Sequence, residues 1–161
     1  MPPNPSWARR FNMLIVARDV SDLRVFTLAE VYDLFSLDEG QDFYGFLSDD
    51  FFPDGICCIW EEKGRYVAAL RLQKWQDGYL LEGLQTHRDH RGRGYAKRLI
   101  TASLETLKME KVYSHISRDN ASSIAVHTAC GFRKILNYAT YLDGSVYHTS
   151  DTYLYENPRC N

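Results

Sequence analysis

Arg91-Gly92-Arg93-Gly94-Tyr95-Ala96 is the stretch on which the fold turns: two glycines one residue apart stand between a β-patterned run and the start of an amphipathic helix. Small residues at such a junction let backbone N–H groups approach an anion, and the helix N-terminus behind them attracts it. The six residues therefore read as a phosphate site. A Walker loop requires Gly-Lys-Ser/Thr after four intervening residues, and a dinucleotide fingerprint requires a third Gly or Ala where Lys97 stands. Neither pattern is met.

Downstream, Ala96, Leu99, Ile100, Ser103, Leu104 and Leu107 recur at the three-and-four spacing of one helical face. A strand is expected over 112–117 and a helix over 120–129, ended by Gly131 where a left-handed cap is favoured. Two further strands, 132–141 and 146–155, flank Asp143-Gly144. Upstream, three β-patterned runs at 56–61, 65–75 and 78–87 are separated by Lys63-Gly64 and Asp77-Gly78, the pattern of an antiparallel meander. A short apolar strand over 13–16 precedes capping residues at Asp19 to Asp22 and a helical pattern carried by Leu23, Phe26, Leu28, Val31, Leu34 and Phe35. Residues 36–54, rich in Asp, Gly and aromatic rings, predict a short helix or a shaped loop packed over something.

The bulk properties narrow the function. A chain of 161 residues is the size of one domain able to bury its own core, so 1–161 is read as a single domain with a flexible stretch at 1–11. A formal charge of −2 gives no general electrostatic reason to bind nucleic acid or anionic lipid. No stretch approaches the roughly 18 apolar residues of a membrane span, and the run near Met13 lacks the features of a signal peptide. Cys57, Cys58, Cys130 and Cys160 show no CxxC spacing, which reads as a reducing cytoplasm. His87 and His90 flank a turn without the partners of a known metal motif, so no metal is expected.

The loop Arg91-Gly92-Arg93-Gly94-Tyr95-Ala96 resembles the acetyl-CoA loop of the GNAT superfamily of N-acetyltransferases, written Gln/Arg-x-x-Gly-x-Gly/Ala. Asn120, Ser123, His127 and Gly131-Phe132 are similar to the downstream pattern of the same family: Asn, a small residue, Tyr, then Gly-Phe. The two motifs stand in the family's order, and the succession of elements resembles it from Met13 to Tyr155. The resemblance implies an α/β (α+β) fold with a mixed, mostly antiparallel central sheet of six to seven strands and about four flanking helices. It also implies acetyl-CoA as acyl donor and direct transfer to a primary amine within a ternary complex.

Matching positions imply roles for particular residues. Leu84, Gln85 and Thr86 would offer backbone groups to the pantetheine arm and acetyl carbonyl. Arg91, Gly92, Arg93, Gly94, Tyr95, Ala96 and Lys97 would hold the pyrophosphate. Asn120 would hydrogen-bond the pantetheine, cap its own helix, or both. An incoming ammonium must lose a proton before attack. Glu82 is the candidate base, since Glu82-Gly83-Leu84-Gln85-Thr86 resembles the Glu-Asp-Leu-x-Val run of polyamine and aminoglycoside members. Gly83 replaces its Asp. The competing reading of Glu82 is a carboxylate on the solvent face of a strand. His127 takes the place of the tyrosine that protonates the departing thiolate in many members. Either it does so here, or it packs beside the cofactor while Tyr138 or Tyr141 serves. Cys130 stands where the family has a buried apolar residue, which disfavours an acetyl-cysteine intermediate.

Between Arg24 and Lys63 there is no Lys or Arg, yet ten acids occur there: Glu30, Asp33, Asp38, Glu39, Asp42, Asp49, Asp50, Asp54, Glu61 and Glu62. This region forms the acceptor wall in GNAT-like proteins, so the acceptor is expected to be a cationic small molecule or a basic peptide. The bland alternative is a solvated acidic face. A second functional class stays open, an acetyl-CoA sensor or partner-binding module that has lost catalysis, in line with the absent tyrosine at position 127. A monomer or a homodimer through exposed C-terminal strands fits the sequence.

Overall fold

The computed structural model describes residues 12–140, 143, 145–147 and 151–158. The expected flexible stretch 1–11, and with it Tyr141, Gly144 and Cys160, lie outside the described residues. Strands β1 (Asn12–Ala17), β2 (Gly55–Glu62), β3 (Arg65–Trp75) and β4 (Gly78–Thr86) form an antiparallel run in sequence order. Strand β5 (Lys111–Ser117) joins β4 in parallel, and β9 (Thr152–Pro158) then pairs antiparallel with both β5 and β6 (Arg133–Leu136). The result is a seven-stranded sheet of order β1-β2-β3-β4-β5-β9-β6. A two-stranded ribbon of β7 (Ala139–Thr140) and β8 (Val146–Tyr147) stands beside it.

Two of the expected long strands are interrupted. The run 132–141 breaks into β6 and β7 around Asn137-Tyr138, and 146–155 divides into β8 and the displaced β9. The cause is partnership rather than propensity, since β6 pairs with β9 whereas β7 pairs with β8.

Period-two alternation assigns the strands to two cores. Ile56 and Cys58 pack with Leu70, Leu72 and Leu81 against helix α3 (Tyr95–Leu107), whereas Cys57, Ile59 and Ala69 pack on the opposite face. Adjacent Cys57 and Cys58 thus point to opposite sides of the sheet. On α3 the buried side chains are Leu99, Ile100, Ser103 and Leu104, as the spacing predicts, and each of the three apolar ones contributes about 1.5–3 kcal/mol by burial. Helix α4 (Ala121–Ala129) packs on the same side, and Asn120 caps it by accepting from Ser123 N at 3.1 Å. The second face carries α1 (Val25–Val31), α2 (Leu37–Gly45) and a π-helical turn over Phe46–Phe51, the form that the aromatic stretch takes. Ser36 and Glu39 close a capping box at the start of α2.

Candidate active site

Three register pairs join β4 to β5: Tyr79 with Val112, Leu80 with Tyr113 and Leu81 with Ser114. Beyond them the strands part, and among the described residues the β5-facing edge of β4 from Glu82 to Thr86 has no strand partner. The backbone of β4 is bent at the same place. One extra residue on β4 is accommodated between the pairs Ala69–Gln85 and Arg71–Glu82, and Gly83 adopts a φ of 59° that a side chain would resist. Tyr32 fixes this bulge from α1's end by donating its hydroxyl to Gly83 O at 2.6 Å.

Two clefts meet at the parting of the strands, sharing Leu84, Asn120 and Ser123. The larger, about 540 Å³, is lined by Leu84, Gln85 and Thr86 on one side, by His90, Arg91, Gly92 and Gly94 to Lys97 on another, and by the start of α4. Its chemistry suits an anion. Gly94, left-handed at φ 80°, precedes the first turn of α3, whose N-terminus has no side-chain cap. Nothing lies within 4 Å of where a Cβ on Gly92 or Gly94 would be, so the backbone there is open to a ligand. Arg91 donates from Nε to Thr86 O at 3.1 Å and pairs with Asp33 at 3.6 Å. His90 contributes a buried Nδ1 without a hydrogen-bond partner, and burial, then His87, push its pKa down. A free helix N-terminus, an open glycine backbone, flanking cations and an orphaned ring nitrogen fit the pyrophosphate and pantetheine of coenzyme A. Arg93 is exposed and lines neither cleft.

The smaller cleft, about 280 Å³, is lined by Leu80 to Leu84, Ser114, His115, Asn120, Ser123 and His127, so both Glu82 and His127 reach it. Glu82 faces Arg71 across the strands, Oε1 to Nε 3.9 Å. Arg71 is held among aromatic rings, with Cζ 5.1 Å from the centre of Phe46, 5.7 Å from Tyr32 and 5.9 Å from Phe51. His127 is only 2% exposed. Its Nδ1 lies 2.7 Å from Ser123 O, its Nε2 lies 3.2 Å from Ser114 Oγ, and its ring meets Phe132 edge to face. Burial lowers its pKa, against a smaller opposing effect of the Ser123 carbonyl.

Other expected positions fall outside the clefts. Cys130 points its Sγ toward Lys97 O and Thr101, and burial raises its thiol pKa. None of the ten acids of the basic-free segment lines either cleft. Asp33 pairs with Arg91, Glu61 with Arg24, and Glu39 is used in its capping box. His87 is turned inward to accept from Asp89 N. No group of three His, Cys, Asp or Glu side chains able to hold a metal occurs among the described residues, and no helix among them is long and apolar enough to cross a membrane. His90 lines the larger cleft, near the loop expected to hold the phosphates. Arg71, Ser114 and Tyr32 are the site residues that sequence reading did not single out. They come from a mid-strand position, a second strand and a helix end, and only the fold brings them together.

Residues 23–132 match the Acetyltransferase (GNAT) family, whose acyl donor this geometry fits. The chain belongs to that family, the acetyl-CoA-dependent N-acetyltransferases. Solved structures share its fold. The PaiA N-acetyltransferase of Thermoplasma acidophilum, in complex with coenzyme A, aligns with a TM-score of 0.62 at 10% identity over 91% of this chain and 99% of that one. A spermidine N-acetyltransferase chimera from Vibrio cholerae gives 0.61 at 17% over 91% and 94%. The ribosomal-protein-alanine N-acetyltransferase of Escherichia coli gives the same score and identity over the same shares. No curated protein sequence matches the chain.

Proposed function

We propose that this protein transfers the acetyl group of acetyl-CoA directly to a primary amine bound in the smaller cleft. The observation that carries the reading is the parting of β4 and β5 after Leu81 and Ser114, which joins an anion-binding cleft to a second one containing a carboxylate. The loop from Arg91 to Lys97 holds the pyrophosphate, with Arg93 acting from the rim. The free edge at Leu84, Gln85 and Thr86 holds the pantetheine arm and aims a backbone donor at the acetyl carbonyl, where it stabilises the charge that develops on attack. Asn120 caps α4 and borders both clefts, so one side chain serves helix and ligand.

Glu82 takes the proton of the arriving ammonium. Among the described residues it is the only acid lining the smaller cleft, and its partial exposure lets that proton leave to water. His127 supplies the proton for the departing sulfur. The acceptor is a cationic small molecule or a basic peptide. The acidic segment acts on it at a distance, by steering, since its carboxylates lie outside the cleft. Spermidine and a ribosomal-protein alanine, the acceptors named for two structures of this fold, bracket these classes. Three free cysteines among the described residues, two of them fully buried, fit a reducing cytoplasm.

The test is release of free thiol from acetyl-CoA in the presence of polyamines, aminoglycosides, amino acids, basic peptides and acidic controls. Turnover with one cationic class is expected, and it should be lost in Glu82→Gln. Turnover confined to acidic or neutral molecules overturns the acceptor assignment. Acetyl-CoA binding without turnover on any amine favours a sensor.

A further inference from the structure

His127, Ser114 and the backbone carbonyls of Ser123 and Leu81 form a continuous polar chain behind the smaller cleft. The distances are 2.7 Å from Ser123 O to Nδ1, 3.2 Å from Nε2 to Ser114 Oγ, and 3.1 Å from Ser114 Oγ to Leu81 O. The chain crosses from α4 through β5 to β4 at the last pair before the strands part.

Counting protons along it gives a definite result. A carbonyl only accepts, so the 2.7 Å contact places a hydrogen on Nδ1. With the ring neutral, Nε2 then carries a lone pair and faces Ser114 Oγ. The serine has one proton for two acceptors, Nε2 and Leu81 O. Three contacts thus share two protons, and the chain accommodates one more. Among the described residues the ring also meets Ser123 Oγ at 3.2 Å and the Phe132 ring; its shift comes from burial and the Ser123 carbonyl, and the titratable groups that border the same cleft are Glu82 and His115.

We propose that Ser114 is the catalytic residue that exchanges protons with the reacting atoms, and that His127 acts through it as a temporary proton store. This rests on the acetyl-transfer reading above and specifies how its second proton moves. As the bond from amine nitrogen to acetyl carbon forms, the nitrogen gives a proton to Ser114 Oγ while the serine's own proton passes to His127 Nε2. As the carbon–sulfur bond breaks, the same path runs backwards and delivers that proton to the sulfur. The nitrogen loses one proton, the sulfur gains one, and histidine and serine end as they began. No external acid is consumed. The arrangement explains how a residue 2% exposed can supply the departing sulfur with a proton through Ser114.

The first arm of the test needs no acceptor: ring nitrogen NMR of the full chain at neutral pH. The expected result is a proton on Nδ1 of His127, an unprotonated Nε2, and a Ser114→Ala spectrum in which Nε2 moves and Nδ1 does not. A proton resident on Nε2 overturns the proposal. The second arm uses whichever amine of the panel turns over. Ser114→Ala should lower kcat on the order of a hundredfold and leave acetyl-CoA affinity nearly unchanged, and Ser114→Thr, which keeps the hydroxyl, should restore most of the rate. Adding His127→Phe to Ser114→Ala should cost nothing further, because the two act as one unit. Multiplying losses, or a Ser114→Ala rate within about twofold of the parent, contradict the relay. Failure of the acetyl-transfer reading would appear separately, as absent acetyl-CoA binding, and the NMR result would still judge the dyad.

Discussion

The guanidinium of Arg71 occupies the space that a side chain at Gly83 would need. A Cβ built on Gly83 would stand 2.8 Å from Arg71 Cζ and 2.9 Å from Nη2. Arg71 cannot easily withdraw, because the rings of Tyr32, Phe46 and Phe51 surround it and Glu82 lies across from it. Position 83 is also left-handed, at φ 59°. Glycine there, in place of the acid of the polyamine-type run, is thus a steric consequence of the arginine on the neighbouring strand.

Gly83→Ala should therefore destabilise the protein by about 1–3 kcal/mol, from backbone strain and displacement of Arg71 together. Denaturant unfolding measures it. The double variant with Arg71→Ala should lose less than the two single losses added, since one clash is removed.

Tyr32→Phe removes the 2.6 Å hydrogen bond that holds the bulge at Gly83 O. The expected cost is about 0.5–1.5 kcal/mol of stability. The kinetic effect should fall on kcat, because the bulge aims Glu82 and Leu84, and acetyl-CoA affinity should stay within about threefold of the parent by calorimetry.

Arg91 ties the larger cleft to the end of α1, donating to Thr86 O and pairing with Asp33. Arg91→Ala should weaken acetyl-CoA binding about tenfold, or 1.4 kcal/mol. Asp33→Asn should change it much less, because an exposed pair at 3.6 Å contributes little and its loss leaves the cation in place.

Stability should fall on mild acidification. Burial lowers the pKa of both His115 and His127, and His115 Nε2 accepts from Thr140 N at 3.1 Å, a bond that needs its lone pair. The unfolded chain binds protons that the folded one refuses once pH drops below about 6.5. The stabilisation is complete above that value and is lost as pH descends through it toward the folded pKa values. Tm at pH 5.5 should lie below Tm at pH 7.5 by on the order of 2–4 °C, and His115→Gln should shrink the difference.

The order of elements was legible in the sequence because periodicity and turn chemistry are local. The meander, the helix after Gly94 and the helix capped by Asn120 follow from patterns a few residues long. The break between β6 and β7 was not, because it depends on which strand each segment finds as a partner. The open glycine turn before α3 was legible for the same reason as the helix it precedes. Arg71 and Ser114 were not, since a charged or small residue within a strand carries no signal until its cross-strand neighbour is known. The ten acids show the opposite failing: the run is conspicuous in sequence, yet the fold uses Glu39 in a cap and Glu61 and Asp33 in ion pairs, and none of the ten lines a cleft.

The most direct test of the central claim is calorimetric titration of the protein with acetyl-CoA, beside Gly92→Asp, which sets a carboxylate in the open glycine backbone of the anion loop. One acetyl-CoA should bind per chain, and the variant should bind at least about tenfold more weakly with its fold intact by circular dichroism. Absence of binding to the parent protein, or equal binding by the variant, would contradict the account.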